Sequence, residues 1–240
     1  MNQYKTRFQL KMEARERLTG HYGFFIGAML FMSITSYLVS SLFSGFVSTD
    51  TATGYVFYEV ISCIIIIFMG LFSVGSSLAY LKCACRSPFS FQDLFYGFQH
   101  NQNQGLVVSL AINAVNLLMI PVSLYALKLY RQTDSYLTMC YAYLGGMFVV
   151  EIIAFFIQLF LMPCFYLLLD YPGKSAGAIL KLGFQIMKTH WRRFFVLELS
   201  FIPLLLIGAL SLIGILWVIP YRNMTTTLFY LDIMKPEQKV

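Results

Sequence analysis

Charge is what this chain has least of. Charged residues make up 12% of its 240 positions, against roughly 25% in a soluble domain. With 58% hydrophobic and 17% aromatic residues, too little polar surface remains to coat a globule in water, so the solvent is expected to be lipid. Chemistry-bearing motifs are also missing. There is no G-x-S-x-G and no H-E-x-x-H, so hydrolase chemistry has no visible machinery. No Walker loop is present for nucleotide-driven transport. The five cysteines (Cys63, Cys83, Cys85, Cys140, Cys164) are odd in number, and the single C-x-C has no second pair to complete a four-ligand zinc site. His21, His100 and His190 do not share a spacing that would converge them on a metal. No metal, cofactor or enzymatic activity is therefore expected. Nor is a cleavable signal peptide, because the first apolar run is too long and no A-x-A-like site follows it.

What is present is a series of apolar runs. The first covers 23–46, and a polar turn at 47–54 leads to a second over 55–81. The third covers 105–127, and the fourth, 136–169, is long enough to tilt or to break near Pro163. The fifth, 194–212, reverses at Gly214 into a sixth over 215–233 that contains Pro220 and Arg222-Asn223. At 1.5 Å per residue each is of a length to cross about 30 Å of hydrocarbon. A small-residue patch in the second run (Gly70, Ser73, Gly75, Ser76, Ser77) would let helix backbones approach closely.

Basic segments precede the hairpins. In 3–19, Leu10, Ala14 and Leu18 stack on one helical face among Lys5, Arg7, Lys11, Arg15 and Arg17. Such a helix can lie on anionic headgroups; the alternative is a solvated helix that merely precedes a span. A second element covers 82–104, where Ser90 and Asp93 approximate a capping box and Phe91, Leu94, Phe95 and Phe98 share a face. A third covers 174–190 and ends in Trp191, Arg192 and Arg193. Leu94–Gln99 aligns with Leu180–Gln185, and His21-Tyr22 before Phe24-Phe25 echoes His190-Trp191 before Phe194-Phe195. The expected fold is thus all-α: one polytopic integral membrane domain over 1–240, with six transmembrane helices in three hairpin repeats (about 1–81, 82–169 and 170–240), each preceded by an amphipathic interfacial helix. With the N-terminus inside, all but three of the 17 Lys and Arg fall on inner segments; Lys128 and Arg131 lie outside and Arg222 within the last span. The positive-inside rule then places both termini in the cytoplasm.

Ionisable residues inside hydrocarbon are costly and mark candidate sites. By count from the span ends, Glu59 lies near the outer surface and Glu198 near the inner one, while Glu151 and Arg222 share the midplane. Three readings stand for that pair. It lines a polar cavity with Asn113, Asn116, Gln158, Asn223 and Thr225 to Thr227; it only fixes helix register; or Pro220 ends the helix and leaves Arg222 in water. The expected interfacial anchors are Tyr22, Phe98, His190, Trp191, Arg192 and Arg193.

Four stretches carry a family likeness: Ala14-Arg15 with Leu18, Gly20 and Tyr22; Phe91 with Asp93-Leu94-Phe95 and Gly97-Phe98; Met187 to Arg192 with Phe194; and Trp217 with Pro220-Tyr221-Arg222-Asn223, Thr226 and Phe229-Tyr230. The chain thereby resembles a bacterial membrane-protein family known as domain of unknown function nine-seven-five. It departs at Thr189, where members often have Gly, and at Pro203. The resemblance implies a polytopic protein of the bacterial cell membrane, mostly from Gram-positive organisms, and supplies no catalytic residues. Two functions fit. One is a non-enzymatic membrane module that handles an amphipathic partner: a lipid, a peptide or a segment of another membrane protein. The other is a small secondary transporter with a polar midplane site at Glu151 and Arg222. Membrane lipids are the expected partners and nucleic acid is not, since topology explains the basic segments.

Overall fold

Long apolar helices, interrupted where proline or a buried amide disturbs the backbone, organise the chain. The computed structural model describes residues 4–45, 52–133, 135–211 and 213–234. The tail at 235–240 and most of the turn at 47–54 lie outside the described residues. The helices are α1 (Arg7–Leu18), α2 (Tyr22–Ser44), α3 (Ala52–Ala84), α4 (Tyr96–Gln99), α5 (Gln102–Asn113), α6 (Met119–Thr133), α7 (Tyr136–Leu161), α8 (Cys164–Asp170), α9 (Ala176–Leu199), α10 (Ile202–Leu210) and α11 (Gly214–Met234), with 3₁₀ turns at Phe91–Phe95 and Ala114–Leu118. Among the described residues five stretches are long and apolar enough to cross a bilayer: Tyr22–Phe43, Val56–Ala84, Gln102–Tyr130, Tyr136–Asp170 and Ala176–Leu210. The helix α11 is not among them, because Arg222, Asn223, three threonines and Asp232 interrupt its apolar character.

Three of the five stretches are broken, each for a local reason. In the third, the Asn113 side-chain amide donates to the Ser109 carbonyl at 2.9 Å, and Pro121 has no N–H to offer the carbonyl four residues earlier. The backbone tightens into a 3₁₀ turn between them. The fourth breaks at Pro163, which caps α8, as the sequence leads one to expect. The fifth departs from expectation. Ser175 caps α9 through the Ala178 N–H, and the helix then runs to Leu199 with no break at Trp191–Arg193. The basic segment at 174–190 is therefore not a separate surface helix, and 194–212 is not one span. The chain turns instead at residues 200–201, and Pro203 sits in the first turn of α10, where a missing N–H costs little.

The helix α3 is the axis of the fold, touching α2, α5, α6, α8, α11 and the 91–99 segment. Its small residues permit this. A Cβ at Gly70 would collide with Ser109 of α5, and one at Gly75 with the Leu94 carbonyl. The capping box at Ser90 forms, with the Ser90 N–H donating to Asp93 at 2.9 Å, and Lys82 meets the same carboxylate at 2.7 Å. Phe98 and Phe95 pack edge-on against Phe72 of α3. The aligned hexapeptides take different forms, Leu94–Gln99 in a 3₁₀ turn plus α4 and Leu180–Gln185 in mid-α9.

The thin apolar stripe of α1 faces protein. Leu10, Ala14 and Leu18 are fully buried in a cluster with Met224, Leu228, Phe229 and Ile233 of α11, each leucine contributing about 1.5–3 kcal/mol of burial. At the end of this contact Asp232 accepts the backbone N–H of Lys5 and a guanidinium N–H of Arg193, the latter at 2.9 Å.

Candidate functional site

The helices α9 and α10 run antiparallel to α11. Phe194 meets Phe229 at 5.2 Å and Phe201 meets Tyr221 at 5.2 Å. Between those aromatic contacts two charges face each other: Arg222 Nε donates to Glu198 Oε2 at 2.6 Å. The Glu198 side chain is 6% exposed and that of Arg222 is 37% exposed. The second carboxylate oxygen accepts from the Thr226 hydroxyl at 3.4 Å, one helical turn beyond Arg222. The carboxylate is thus enclosed while the guanidinium opens outward.

It opens into a cavity of about 480 Å³ where α2, α3, α5, α7, α8, α9 and α11 converge. One wall is polar. Ser73, Ser76 and Ser77 come from α3, Asn113 from α5, Gln158 from α7, and Asn223 and Thr226 from α11. The other wall is apolar, with Met32, Ile66, Met69, Phe155, Leu159 and Phe165. Several hydroxyls are held in place. Tyr166 is hydrogen bonded to Thr227 at 2.9 Å, and the Ser77 hydroxyl donates to the Ser73 carbonyl at 2.8 Å. Thr225 and Thr227 donate to the carbonyls of Tyr221 and Asn223 within α11, at 2.8 and 2.9 Å. A polar group left unpaired here would cost several kcal/mol, and these bonds avoid that.

Of the residues expected around a polar site, Asn113, Gln158, Arg222, Asn223 and Thr226 line this cavity and Asn116, Glu151, Thr225 and Thr227 do not. The expected Glu151–Arg222 pair does not form, because Glu198 holds the guanidinium. Glu151 is exposed on α7, two turns or about 10 Å of helix rise from Gln158, and is in no ion pair among the described residues. Nor does Pro220 end the helix; α11 continues through it. Counting from residue 194 puts Glu198 near the inner surface, but α9 is one helix from Ala176 to Leu199, so residue 194 does not start a helix and the count has no anchor. Ser76 and Ser77 are legible in the sequence as small packing residues. Nothing in their local sequence marks Tyr80 or Tyr166 as cavity residues.

Most of the expected interfacial anchors are held by protein. Arg193 turns inward to Asp232, and His190 packs edge-on against Tyr4 at 5.2 Å. Trp191 lies between Phe160 and Phe195. Phe98 stands on Phe72 and Tyr22 packs against the main core. Arg192 alone of the six is exposed, its guanidinium over the Trp191 ring.

A smaller cavity of about 400 Å³ surrounds Glu59, which accepts from the Ser123 hydroxyl at 3.2 Å. It draws on α3, α6 and α7 and shares no residue with the first.

The architecture is that of an all-helical, multi-pass membrane protein with a polar cavity among its helices. The chain belongs to the family described as "Protein of unknown function (DUF975)", which matches residues 1–237. No curated protein and no solved structure shows significant similarity to it.

Proposed function

We propose that this chain is a non-enzymatic module of the bacterial cell membrane that binds an amphipathic partner, a lipid, a peptide or a segment of another membrane protein, in the cavity beside Arg222. The observation that carries this reading is the two-sided wall: hydroxyls, amides and a half-open guanidinium on one side, methionine and phenylalanine on the other. An amphiphile satisfies both at once, and the volume falls in the range of small-molecule sites.

Six crossings, with both termini cytoplasmic, agree with one contact. Lys5 and Asp232 are hydrogen bonded, which supports a reading with the two ends of the described chain on the same side of the bilayer. That requires an even number of crossings. Five apolar stretches plus the return of α11 satisfy it, giving three hairpins. In this arrangement α1 keeps its amphipathic role with a different face. Phe8 (71% exposed) and Met12 (55% exposed) project beside Arg15, opposite the buried stripe, where they can meet headgroups.

Native mass spectrometry of the purified full chain, with identification of what co-purifies, tests the reading. A lipid or apolar peptide retained by the wild type and lost on Ser76→Leu, which fills the cavity, is expected. Retention of nothing amphipathic would overturn it. A second reading, a small secondary transporter, is favoured by the charge pair inside the cavity and now rests on Glu198 in place of Glu151. It requires solute flux in proteoliposomes.

A further inference from the structure

We infer that the amphiphile seated in this cavity carries an anionic head, a phosphate or carboxylate group, and that Arg222 is the residue that receives it. This rests on the amphipathic reading above and names the ligand's chemistry. A guanidinium presents five N–H donors in a rigid fork. Glu198 engages Nε alone, and among the described residues the two Nη groups have no partner. Arg222 lines the cavity with its side chain 37% exposed, and a planar fork of this kind matches carboxylate and phosphate oxygens in paired bonds. Gln158, exposed and lining the cavity from α7, offers two further N–H donors.

A cationic head is disfavoured. Glu198 also lines the cavity, but its side chain is only 6% exposed, with one oxygen on Arg222 and the other on Thr226. The surrounding charge also favours an anion. Lys11 reaches the Ser200 carbonyl at 2.9 Å, and Arg15 lies over the Tyr221 ring beside Arg222. Neither has a carboxylate partner among the described residues, while Asp232 and Glu13 are taken by Arg193, Lys5 and Arg17. Glu198 therefore offsets only one of three nearby cations, and a bound monoanion lowers the remaining excess.

The route in points to the bilayer as the source. Met32, Met69 and Ser73 line the cavity and also a shallow outer groove between α2 and α3, which continues along Ser33, Ser36 and Tyr37. A chain attached to the head can lie along this groove while the head reaches Arg222. A water-soluble anion would have no use for it.

The test is a native mass spectrometry titration of the full chain in detergent with four probes: dioleoylphosphatidylglycerol, dioleoylphosphatidylcholine, dioleoylglycerol and inorganic phosphate. The anionic lipid is expected to bind about tenfold or more tightly than dioleoylglycerol, the scale of a charge-assisted pair of hydrogen bonds. Arg222→Met should remove that preference. Should that variant fail to fold, Gln158→Glu, which places a like charge in the cavity wall, should weaken the anionic lipid by a larger factor than dioleoylglycerol. Equal binding of the anionic and neutral lipids, unaffected by Gln158→Glu, would overturn the anionic head while leaving an amphipathic site in place. Phosphate binding as tightly as the lipid would overturn the bilayer source. Binding of no amphiphile would overturn this inference and the proposed function together.

Discussion

Asp232 accepts the backbone N–H of Lys5 through both carboxylate oxygens, each at 3.2 Å, across 227 positions of sequence. Arg193 completes the contact. It donates to Asp232 at 2.9 Å and to the Lys5 carbonyl at 3.1 Å, and its guanidinium lies over the Tyr4 ring at 4.4 Å. One enclosed carboxylate, 4% exposed, thus joins the first helix, the last helix and α9. The stripe of α1 can then bury against α11 because its leading end is already anchored.

Asp232→Ala should release that end. Loss of a buried carboxylate leaves Arg193 without its charge partner and Lys5 without its acceptor, a cost on the order of 3 kcal/mol. The expected result is a lower unfolding temperature in detergent and fast amide exchange over residues 5–18, with α5 and α6 unchanged. Exchange that stays slow over α1 would show that the apolar stripe alone holds the helix.

The Glu198–Arg222 pair should behave as a unit. Glu198→Gln or Arg222→Met alone should each destabilise by about 3 kcal/mol or more, since the survivor is left unpaired in a nonaqueous setting. The double variant should lose less than the sum. Glu151→Gln, on an exposed and unpaired residue, should fall within roughly 0.5 kcal/mol of wild type. Thermal unfolding of the four variants decides this; strict additivity of the two single losses would contradict the pairing.

Close backbone approach makes a prediction about size alone. Gly75→Ala drives a methyl into the Leu94 carbonyl, which as backbone cannot swing aside, so a loss of about 1–3 kcal/mol or more is expected. At Gly145 of α7 an added Cβ meets nothing within 4 Å, and Gly145→Ala should be neutral or stabilising by up to about 1 kcal/mol. Equal effects at the two sites would argue against tight packing of the 91–99 segment on α3.

Acid should loosen α1. Burial pushes the Glu13 carboxyl up, but hydrogen bonds and charge from Lys5 and Arg17 outweigh it, and the group titrates below its ordinary value. A carboxyl depressed in the folded state stabilises above its unfolded pKa, near 4.3, and that contribution is lost as pH falls through the lower folded value. Amide exchange over α1 should therefore quicken as pH is lowered from about 5 toward 3, after correction for intrinsic rates, and Glu13→Gln should flatten the dependence. An unchanged profile in that variant would assign the loosening to another group.

Four of the five stretches long and apolar enough to cross a bilayer, the break at Pro163, the small-residue packing of α3 and the capping box at Ser90 were all legible from the sequence. Each depends on neighbours within a few positions or on a local sum of hydropathy. Five of the nine expected polar residues line the cavity because a polar side chain in an apolar run has few places to go but inward. The partner of Arg222 was not legible in the same way. Glu59, Glu151 and Glu198 all lie in apolar stretches, and sequence distance does not rank them. Their depth depends on where α9 starts and turns, and their neighbours depend on the antiparallel seating of α9 and α10 against α11. The same holds for Leu10, Ala14 and Leu18. Their spacing determines that they share a face, but an apolar stripe gains similar free energy against lipid or against protein. Only the tertiary structure, through Asp232, Arg193 and the surface of α11, decided that it is protein they meet.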